Sequence, residues 1–400
     1  MHTMQTTLLD HEEEQKRVCA CCTSTRLKLS GTILALFGLS FLLVALLVPR
    51  VIHQKLDDGI TQFLAITPDA MKDQTEGFRT WSNWADEDAL PIYQEIYMYN
   101  ITNPEEILNS SSTKPIVTQH GPYVYREYKV KFDFQYGVDY ENNKQVQFRE
   151  WVYWVYQPDM TDSRLDPNVD KYTTFNLPFQ AVTNTYVALG LLPLVWSSFD
   201  KACNHPSDMD KLFTRERTVT ELLFGYKDCI TIAGNIPADG ITPAQTFPGI
   251  LGTNLPPSNV TNQYVIGNLT KPDTILTGED DAADLRQYVE WKGEQYLTVW
   301  GTPSANRVAG TDGSQFARDV KEGQTVNAWV SDLVRHAPLV NLDNEHVRDL
   351  HGLDLLRFTM DSKVLKNETL VPENAAYFNV KHNGILDLSH AKSGLPIFMS

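Results

Sequence analysis

The sequence predicts a mainly antiparallel β protein with helical insertions, attached to a membrane by an N-terminal helix. Three observations lead to this fold class. An uncharged apolar run occupies residues 29–48. Apolar and polar residues alternate with a period of two over residues 128–136, which is typical of a strand with one face in a core. A third block, beginning near Phe179, carries apolar residues at helical spacing.

The apolar run at residues 29–48 is long enough to cross a bilayer as a helix, because about 20 helical residues span roughly 30 Å. A cleaved signal peptide is the alternative, but its apolar region has about 7 to 15 residues and ends at a small-residue cleavage site. Four basic residues precede the run: Lys16, Arg17, Arg26 and Lys28. The positive-inside rule therefore predicts that residues 1–28 are cytosolic and residues 49–400 are lumenal or extracellular.

Glycosylation sequons occur only after the apolar run, in agreement with that orientation. Five asparagines begin an Asn-x-Ser/Thr sequence: Asn100, Asn109, Asn259, Asn268 and Asn367. We expect these asparagines to carry glycans in an oxidising compartment.

The cysteines fall into two groups. Cys19, Cys21 and Cys22 precede the apolar run beside basic residues, where S-acylation or reduced thiols are the alternatives. Cys203 and Cys229 lie far along the chain and either pair as a disulfide or remain separate.

Composition and motifs restrict the function classes. The formal net charge of -16 belongs to residues 49–400, because acidic and basic side chains balance in residues 1–48. Such an acidic domain argues against nucleic acid as a partner. The sequence contains no zinc-protease, serine-hydrolase elbow, Walker or dinucleotide motif and no calcium loop. No enzyme activity, cofactor or metal site is predicted.

The elements after the apolar run follow from periodicity. Residues 52–64 predict an amphipathic helix, residues 91–99 and 128–136 predict strands, and residues 146–156 predict a returning strand. Later strands are expected at residues 288–291, 296–300, 353–360 and 377–380.

A helical block interrupts the strands at about residues 178–226. Its first helix is apolar nearly all round, with Pro193 expected to kink it, so interior packing and an interaction surface are the alternatives. A second helix is predicted after Ser207. The sequence Thr218-Val-Thr-Glu221 fits a capping box for a third helix that ends at Gly225.

Several stretches resemble the class B scavenger receptor family, in particular its lysosomal integral membrane protein branch. The matching stretches are residues 91–106 (PIYQEIYMYNITNPEE), 121–127 (GPYVYRE), 217–228 (RTVTELLFGYKD), 276–300 (LTGEDDAADLRQYVEWKGEQYLTVW), 310–316 (GTDGSQF) and 384–400 (GILDLSHAKSGLPIFMS). Together with the apolar run they follow the family order over nearly the whole chain.

The resemblance implies a barrel-like β ectodomain, an apical helical bundle at about residues 178–226 and an apolar tunnel that passes lipid or sterol. Family members span the membrane twice, whereas residues 49–400 contain no second run of that length. The alternatives are a C-terminally truncated sequence or a member with one anchor. The family's ectodomain cysteines are also missing near residues 330–339 and 377–383.

The resemblance places ligand contacts on the bundle. The candidates at the apex are Tyr186, Leu189, Leu191, Leu192, Phe199, Lys201 and His205. The branch uses an apical histidine as a pH switch, but residues 185–192 contain none, so His205 is the possible substitute and an ordinary solvated loop histidine is the alternative.

The function predicted from these features is a membrane receptor that binds protein or lipoprotein at its apex and passes lipid or sterol through its interior. The alternatives are a sorting receptor for a lysosomal hydrolase without lipid transfer, and a structural lysosomal glycoprotein. The resemblance favours the lysosomal or endosomal membrane, with the plasma membrane as the alternative.

Overall fold

The computed structural model describes residues 2–68, 78–86, 88, 91–137, 144–188, 190, 196–197, 199–201, 203–229, 246–247, 249–252, 271–279, 281–318, 320–341, 346–350, 352–377, 383–388, 390–391 and 398–399. Contacts between residues divide the chain into two compact units, Met1–Gln62 and Phe63–Ser400.

The first unit is almost entirely one helix, His2–Leu64, which contains Pro49. Its portion Gly31–Leu64 has 34 residues and is long and apolar enough to cross a membrane. The helix expected at residues 52–64 is confirmed, and it is continuous with the apolar run, because the helix passes through Pro49 without a break. The cysteines at positions 19, 21 and 22 lie within this same helix.

The second unit is built mainly from antiparallel strands. In chain order they are β1 Ile92–Ile101, β2 Val117–Tyr136, β3 Gln145–Tyr156, β4 Thr174–Phe175, β5 Phe213–Thr214, β6 Tyr226–Lys227, β7 Thr246–Phe247, β8 Asp273–Leu276, β9 Tyr288–Glu290, β10 Thr325–Val330, β11 Arg335–Val340, β12 His346–Leu350, β13 Leu353–Leu356, β14 Thr359–Met360, β15 Leu386–Asp387 and β16 Phe398–Met399. The largest sheet has the order β1-β2-β3-β8-β9, and β10-β11-β14 form a second sheet. The remaining described strands pair two by two.

Short helices connect the strands. The α-helices of the second unit within the described ranges are Phe78–Ala85, Pro104–Asn109, Leu177–Ala188, Asp208–Leu212, Val219–Phe224 and Pro303–Asn306. The 3-10 helices are Pro158–Met160, Ala282–Asp284, Ser362–Leu365 and Pro372–Tyr377.

A bulge divides β2 and changes which side chains face the core. The register against β3 shifts between Phe132 and Gln135, and Asp133 has a φ of 58°. Lys131, before the bulge, and Phe134, after it, both contact the ring of Trp84. Residues three apart on a regular strand point to opposite faces, so the extra residue restores Phe134 to the face of Lys131. The single apolar face expected over residues 128–136 is therefore wrong.

The two main sheets are joined by the short segment Gly310–Asp312. On one side, the Tyr288 amide donates to the Gly310 carbonyl at 2.8 Å, and the Asp312 amide donates to the Arg286 carbonyl at 3.2 Å. On the other side, Thr311 pairs with β10: its amide donates to the Asn327 carbonyl at 2.9 Å. This segment carries backbone pairing from the first sheet into the second.

The described residues of the second unit form three apolar clusters. One joins β1 and β2 to the helix Val219–Phe224, through Met98, Tyr123 and Leu222. Another lies where Ile66 and Trp84 pack on Phe148 and Ile275 of the large sheet. A third surrounds Trp300, Tyr377 and Leu386.

Several later elements differ from the sequence-based expectations. Residues 296–300 form one isolated bridge, Tyr296 with Arg307, instead of a strand. The strand expected at residues 353–360 is interrupted, so that it becomes β13 and β14. Tyr377 ends a 3-10 helix, and residues 378–380 lie outside the described ranges. In the described part of the chain, strand pairing does not close into a barrel.

Candidate functional site

The candidate site is the helical insertion, defined here as residues 177–229. Asn176 fixes where it begins. Its backbone amide donates to the Leu212 carbonyl at 2.9 Å. Its side-chain oxygen accepts from the Phe179 amide at 3.2 Å, and its side-chain nitrogen donates to the Asp210 carbonyl at 2.8 Å. The buried Asn176 side chain thus caps the N-terminus of the helix Leu177–Ala188 and joins that helix to the helix Asp208–Leu212.

The two following helices begin at hydroxyl caps. Ser207 accepts from the Asp210 amide and starts Asp208–Leu212. Thr218 and Glu221 form the reciprocal capping box of Val219–Phe224, which ends at Gly225 with a φ of 117°. The predicted capping box and its glycine end are confirmed, because both depend only on residues within one turn of each other.

A disulfide joins Cys203 to Cys229 across a sequence separation of 26 residues. It encloses both capped helices in one loop. The sequence left open whether these two cysteines pair or remain separate, and the structure shows the disulfide. Cross-linking at this separation restricts the unfolded chain and stabilises the folded loop by about 2–4 kcal/mol.

Charged side chains cluster beside the disulfide. The His205 imidazole contacts the Asp200 carboxylate, and the Lys211 ammonium lies 3.8 Å from the same carboxylate. Lys211 also lies 5.3 Å from the centre of the Trp196 ring. The His205 side chain is 75% exposed, so this contact adds little stability and leaves the imidazole accessible to a partner.

A cleft of about 590 Å3 lies against the disulfide. Its lining includes both cysteines, His205, Lys211 and Arg215. Arg215 pairs with Asp210 at 3.4 Å, so basic and acidic groups alternate along the rim. The arrangement suits a polar or charged surface of another molecule more than an apolar chain.

The predicted apical residues have different outcomes. Lys201 and His205 are exposed. Phe199 is only 3% exposed, so its expected place on an exposed surface is wrong; burial of a phenylalanine ring stabilises by about 1.5–3 kcal/mol. Tyr186 lies in the helix Leu177–Ala188. At this position the structure describes the backbone only. Three predicted contacts lie outside the described residues: Leu189, Leu191 and Leu192.

An apolar side chain that the sequence reasoning did not single out lies in the same helix. Val187 is 57% exposed although its helix is largely apolar. The sequence did not indicate that Val187 is exposed, because in a segment that is apolar all round periodicity cannot distinguish the solvent-facing side of a helix from the buried side.

The described sequons lie at the surface or near it. Asn109 is exposed at the end of the helix Pro104–Asn109. The Asn367 side-chain oxygen accepts from the hydroxyl of Thr369, the third residue of its own sequon, at 2.6 Å. The Asn100 oxygen accepts from the Thr173 amide at 2.9 Å. The sequons at Asn259 and Asn268 lie outside the described residues.

Buried and half-buried ionisable groups on the large sheet were missed by the sequence reasoning. Lys131 pairs with Glu150 across β2 and β3 at 3.4 Å. Asp273 is 5% exposed and accepts from the Lys292 amide at 2.6 Å. Burial raises the pKa of Asp273 to about 7, and Glu150 adds to this rise. The signal available in the sequence was Glu150, a lone acid in an otherwise aromatic strand end.

No group of three potential metal ligands occurs among the residues with described positions.

The chain is similar to characterised membrane proteins. It is 31% identical to lysosome membrane protein 2 of Mus musculus over 362 residues, 89% of this chain and 66% of that protein. It is 30% identical to the Homo sapiens protein of the same name over 365 residues, and 24% identical to scavenger receptor class B member 1 of Bos taurus over 379 residues. The chain thus spans 66% of the length of the lysosomal relatives.

A family model covers both the apolar helix and the strand-rich unit. The match extends over residues 29–400, which include the helical insertion, the disulfide and both main sheets. On this match the chain belongs to the CD36 family.

Proposed function

We propose that this chain is a membrane-anchored receptor of the class B scavenger type, which binds a protein or lipoprotein ligand at the helical insertion and passes lipid or sterol through its β body. The observation that carries the proposal is the family match over residues 29–400, together with relatives named as a lysosome membrane protein and a class B scavenger receptor. The proposal makes the chain a receptor without covalent chemistry.

The segment Gly31–Leu64 is the proposed anchor. At about 1.5 Å per residue, its 34 residues exceed the roughly 30 Å of a bilayer core. Residues 1–28 would then lie in the cytosol and the strand-rich unit in the lumen or outside the cell. Cys19, Cys21 and Cys22 would stand at the cytosolic surface of the bilayer, where acylation would strengthen attachment.

The helical insertion is the proposed receptor surface because it combines three properties of interaction sites. The disulfide and the capped helices hold its backbone in place. Val187 offers exposed apolar area, and Lys201 and His205, further along the same insertion, offer exposed polar groups. Interaction surfaces commonly pair an apolar centre with a polar rim.

The relatives' names support the lysosomal or endosomal membrane, with the plasma membrane as the alternative. The raised pKa of Asp273, in the strand-rich unit, also suits an acidic compartment, because the Asp273 carboxyl group is protonated there. Lipoproteins, lysosomal hydrolases and sterols are the proposed ligand classes.

The proposal is tested with Val187→Asp in the full chain, reconstituted into liposomes and incubated with a lysosomal hydrolase or a lipoprotein particle. A charge at this exposed apolar position of the proposed receptor surface should lower ligand binding at least about tenfold, since desolvating it costs more than 1.4 kcal/mol. The control is Leu353→Asp, which places the same charge at another exposed apolar position outside the insertion. Equal binding by both variants would remove the insertion from the receptor surface.

The second candidate is a sorting receptor that carries a hydrolase without transferring lipid. The specific observation in its favour is the polar lining of the clefts that the described residues form, of about 440, 590 and 790 Å3. A fluorescent sterol transferred between vesicles separates the candidates. A receptor with lipid transfer accelerates sterol exchange in wild type and in Val187→Asp alike, whereas a sorting receptor leaves the exchange rate at the value of protein-free vesicles.

A further inference from the structure

Two adjoining clefts outside the helical insertion meet around the segment 307–310. They have volumes of about 440 and 790 Å3, and both are lined by Gln287, Arg307, Ala309 and Gly310. We call the two together the Arg307 groove. The receptor surface proposed above does not include any of its residues.

An exposed aromatic ring stands beside a guanidinium group in this groove. Tyr296 and Arg307 are directly opposite each other in an antiparallel bridge, so their side chains lie on the same face. The bridge is held on both sides by backbone hydrogen bonds, Leu297 to Asn306 at 2.8 Å and Val308 to Gln295 at 2.9 Å. Tyr296 is 54% exposed, and the Arg307 side chain is exposed as well.

The charge of the groove is opposite to that of the chain. The larger cleft is lined by Arg307 and Arg318, and none of its described lining residues is acidic. The smaller cleft contributes one carboxylate, Asp284. Because the whole chain has a formal net charge of -16, a locally basic groove departs from the general surface and favours an anion.

The remaining polar groups supply neutral hydrogen bonding. Gln287, Gln324 and Asn327 bring amide side chains that both donate and accept. The His336 ring has a buried Nδ1 that has no hydrogen-bond partner among the described residues. Burial lowers the pKa of His336, with Arg335 adding to the effect, which favours the neutral ring.

We propose that the Arg307 groove binds an anionic saccharide. The sugar ring packs against Tyr296, its carboxylate or sulfate pairs with Arg307, and its hydroxyls bond to the amide side chains. An arginine fork matches planar anions with two parallel hydrogen bonds, and an aromatic face accepts the less polar side of a ring. A lipid chain would leave these amides and charges unpaired, which is costly.

The experiment is calorimetric titration of the full chain in detergent micelles with three trisaccharide or disaccharide probes: sialyllactose, sulfated lactose and lactose. Both anionic probes should bind at least about tenfold more tightly than lactose; sulfated lactose differs from lactose only in its sulfate group, whereas sialyllactose also carries a further sugar ring. Sulfated lactose against lactose is therefore the matched measurement of the charge, and sialyllactose tests whether a carboxylate on a further sugar ring is accepted as well.

Two substitutions separate the roles of ring and charge. Arg307→Gln should reduce both anionic affinities roughly tenfold, to the level of lactose, while Arg307→Lys keeps the charge, loses the fork and falls between. Tyr296→Ala should weaken all three probes. The matched controls are Arg164→Gln and Tyr99→Ala, which change exposed residues of the same types outside the groove and should leave every affinity unchanged.

The result that overturns the proposal is equal binding of lactose and the anionic probes, absence of binding by all three, or unchanged affinity of Arg307→Gln. Thermal unfolding of each variant is measured in parallel; a variant that unfolds is replaced by Arg307→Lys, whose intermediate affinity supports the proposal and whose wild-type affinity contradicts it. Sterol exchange and hydrolase binding are independent readouts, so failure of the receptor proposal leaves this test intact.

Discussion

Asp273 is a carboxyl group that the fold keeps out of water, so the stability of the second unit should depend on pH. Its pKa of about 7 in the folded chain lies above its ordinary value of 3.8. Between these values the folded chain binds a proton that the unfolded chain has released, so the free energy of unfolding falls as pH rises. This contribution is complete below about pH 4 and is lost as pH rises through about 7.

The variant Asp273→Asn should therefore flatten the pH dependence of unfolding. Over pH 5 to 8 the wild type should lose on the order of 2–3 kcal/mol through this group, and the variant should not. Unfolding midpoints in detergent at four pH values provide the measurement. Asp159→Asn, at an exposed carboxylate, is the control that should retain the wild-type slope. An unchanged slope in Asp273→Asn would contradict the assignment.

Gly310 is required for the close approach of the joining segment to β10. It has a φ of 96°, and an added Cβ would lie 2.8 Å from the carbonyl carbon of Ala328. Gly313, with a φ of 78°, shares the left-handed backbone but has no atom within 4 Å of an added Cβ. Comparing the two positions isolates the steric cost from the conformational one.

We expect Gly313→Ala to lower the free energy of unfolding by about 1 kcal/mol, through backbone strain alone. Gly310→Ala should cost about 1–3 kcal/mol more, because the backbone of β10 must also move. Denaturant unfolding of both variants measures the difference. Equal costs would show that β10 yields without strain.

At the scale of elements, the disulfide should hold the helical insertion together. The double variant Cys203→Ser with Cys229→Ser removes the cross-link and should lower local stability by about 2–4 kcal/mol. Hydrogen exchange should then accelerate in residues 203–229, while β2 and β3 remain protected. Cys21→Ser, in the other unit, is the control, and exchange in the insertion should stay at its wild-type rate.

Elements determined by neighbouring residues were predictable, and those determined by distant contacts were not. The capping box at Thr218 and Glu221 uses side chains three residues apart, so its pattern was sufficient. The bulge at Asp133 depends on pairing with β3 and left no local mark. Alternation therefore assigned Lys131 to solvent, whereas the structure gives it Glu150 and the Trp84 ring.

The same limit applies to the candidate site. The two cysteines could be singled out from the sequence, but their pairing depends on how the insertion folds back on itself. Phe199 was expected at an exposed surface but is buried. In a segment that is apolar all round, periodicity does not show which side chains face the core and which face solvent. The Arg307 groove had no sequence signal, since Tyr296 and Arg307 meet through a single bridge across a loop.

At the scale of the whole molecule, attachment to a membrane should depend on the first unit alone. Contacts separate Met1–Gln62 from Phe63–Ser400, and the second unit has its own apolar clusters. We expect the full chain to remain in the pellet after carbonate extraction of membranes. Residues 63–400, secreted from a supplied signal peptide, should appear in the soluble fraction with glycans removable by endoglycosidase. A soluble full chain would contradict the anchor.

The Thr311 amide donates to the second sheet, and its neighbours Gly310 and Asp312 bond to the first, so the described backbone hydrogen bonds between the two sheets pass through these three residues. Side chains add to this junction, because the Trp329 ring of β10 lies 6.4 Å from the Tyr288 ring and 5.4 Å from the Trp291 ring. Opening the junction would therefore have to separate these rings as well as the backbone pairs.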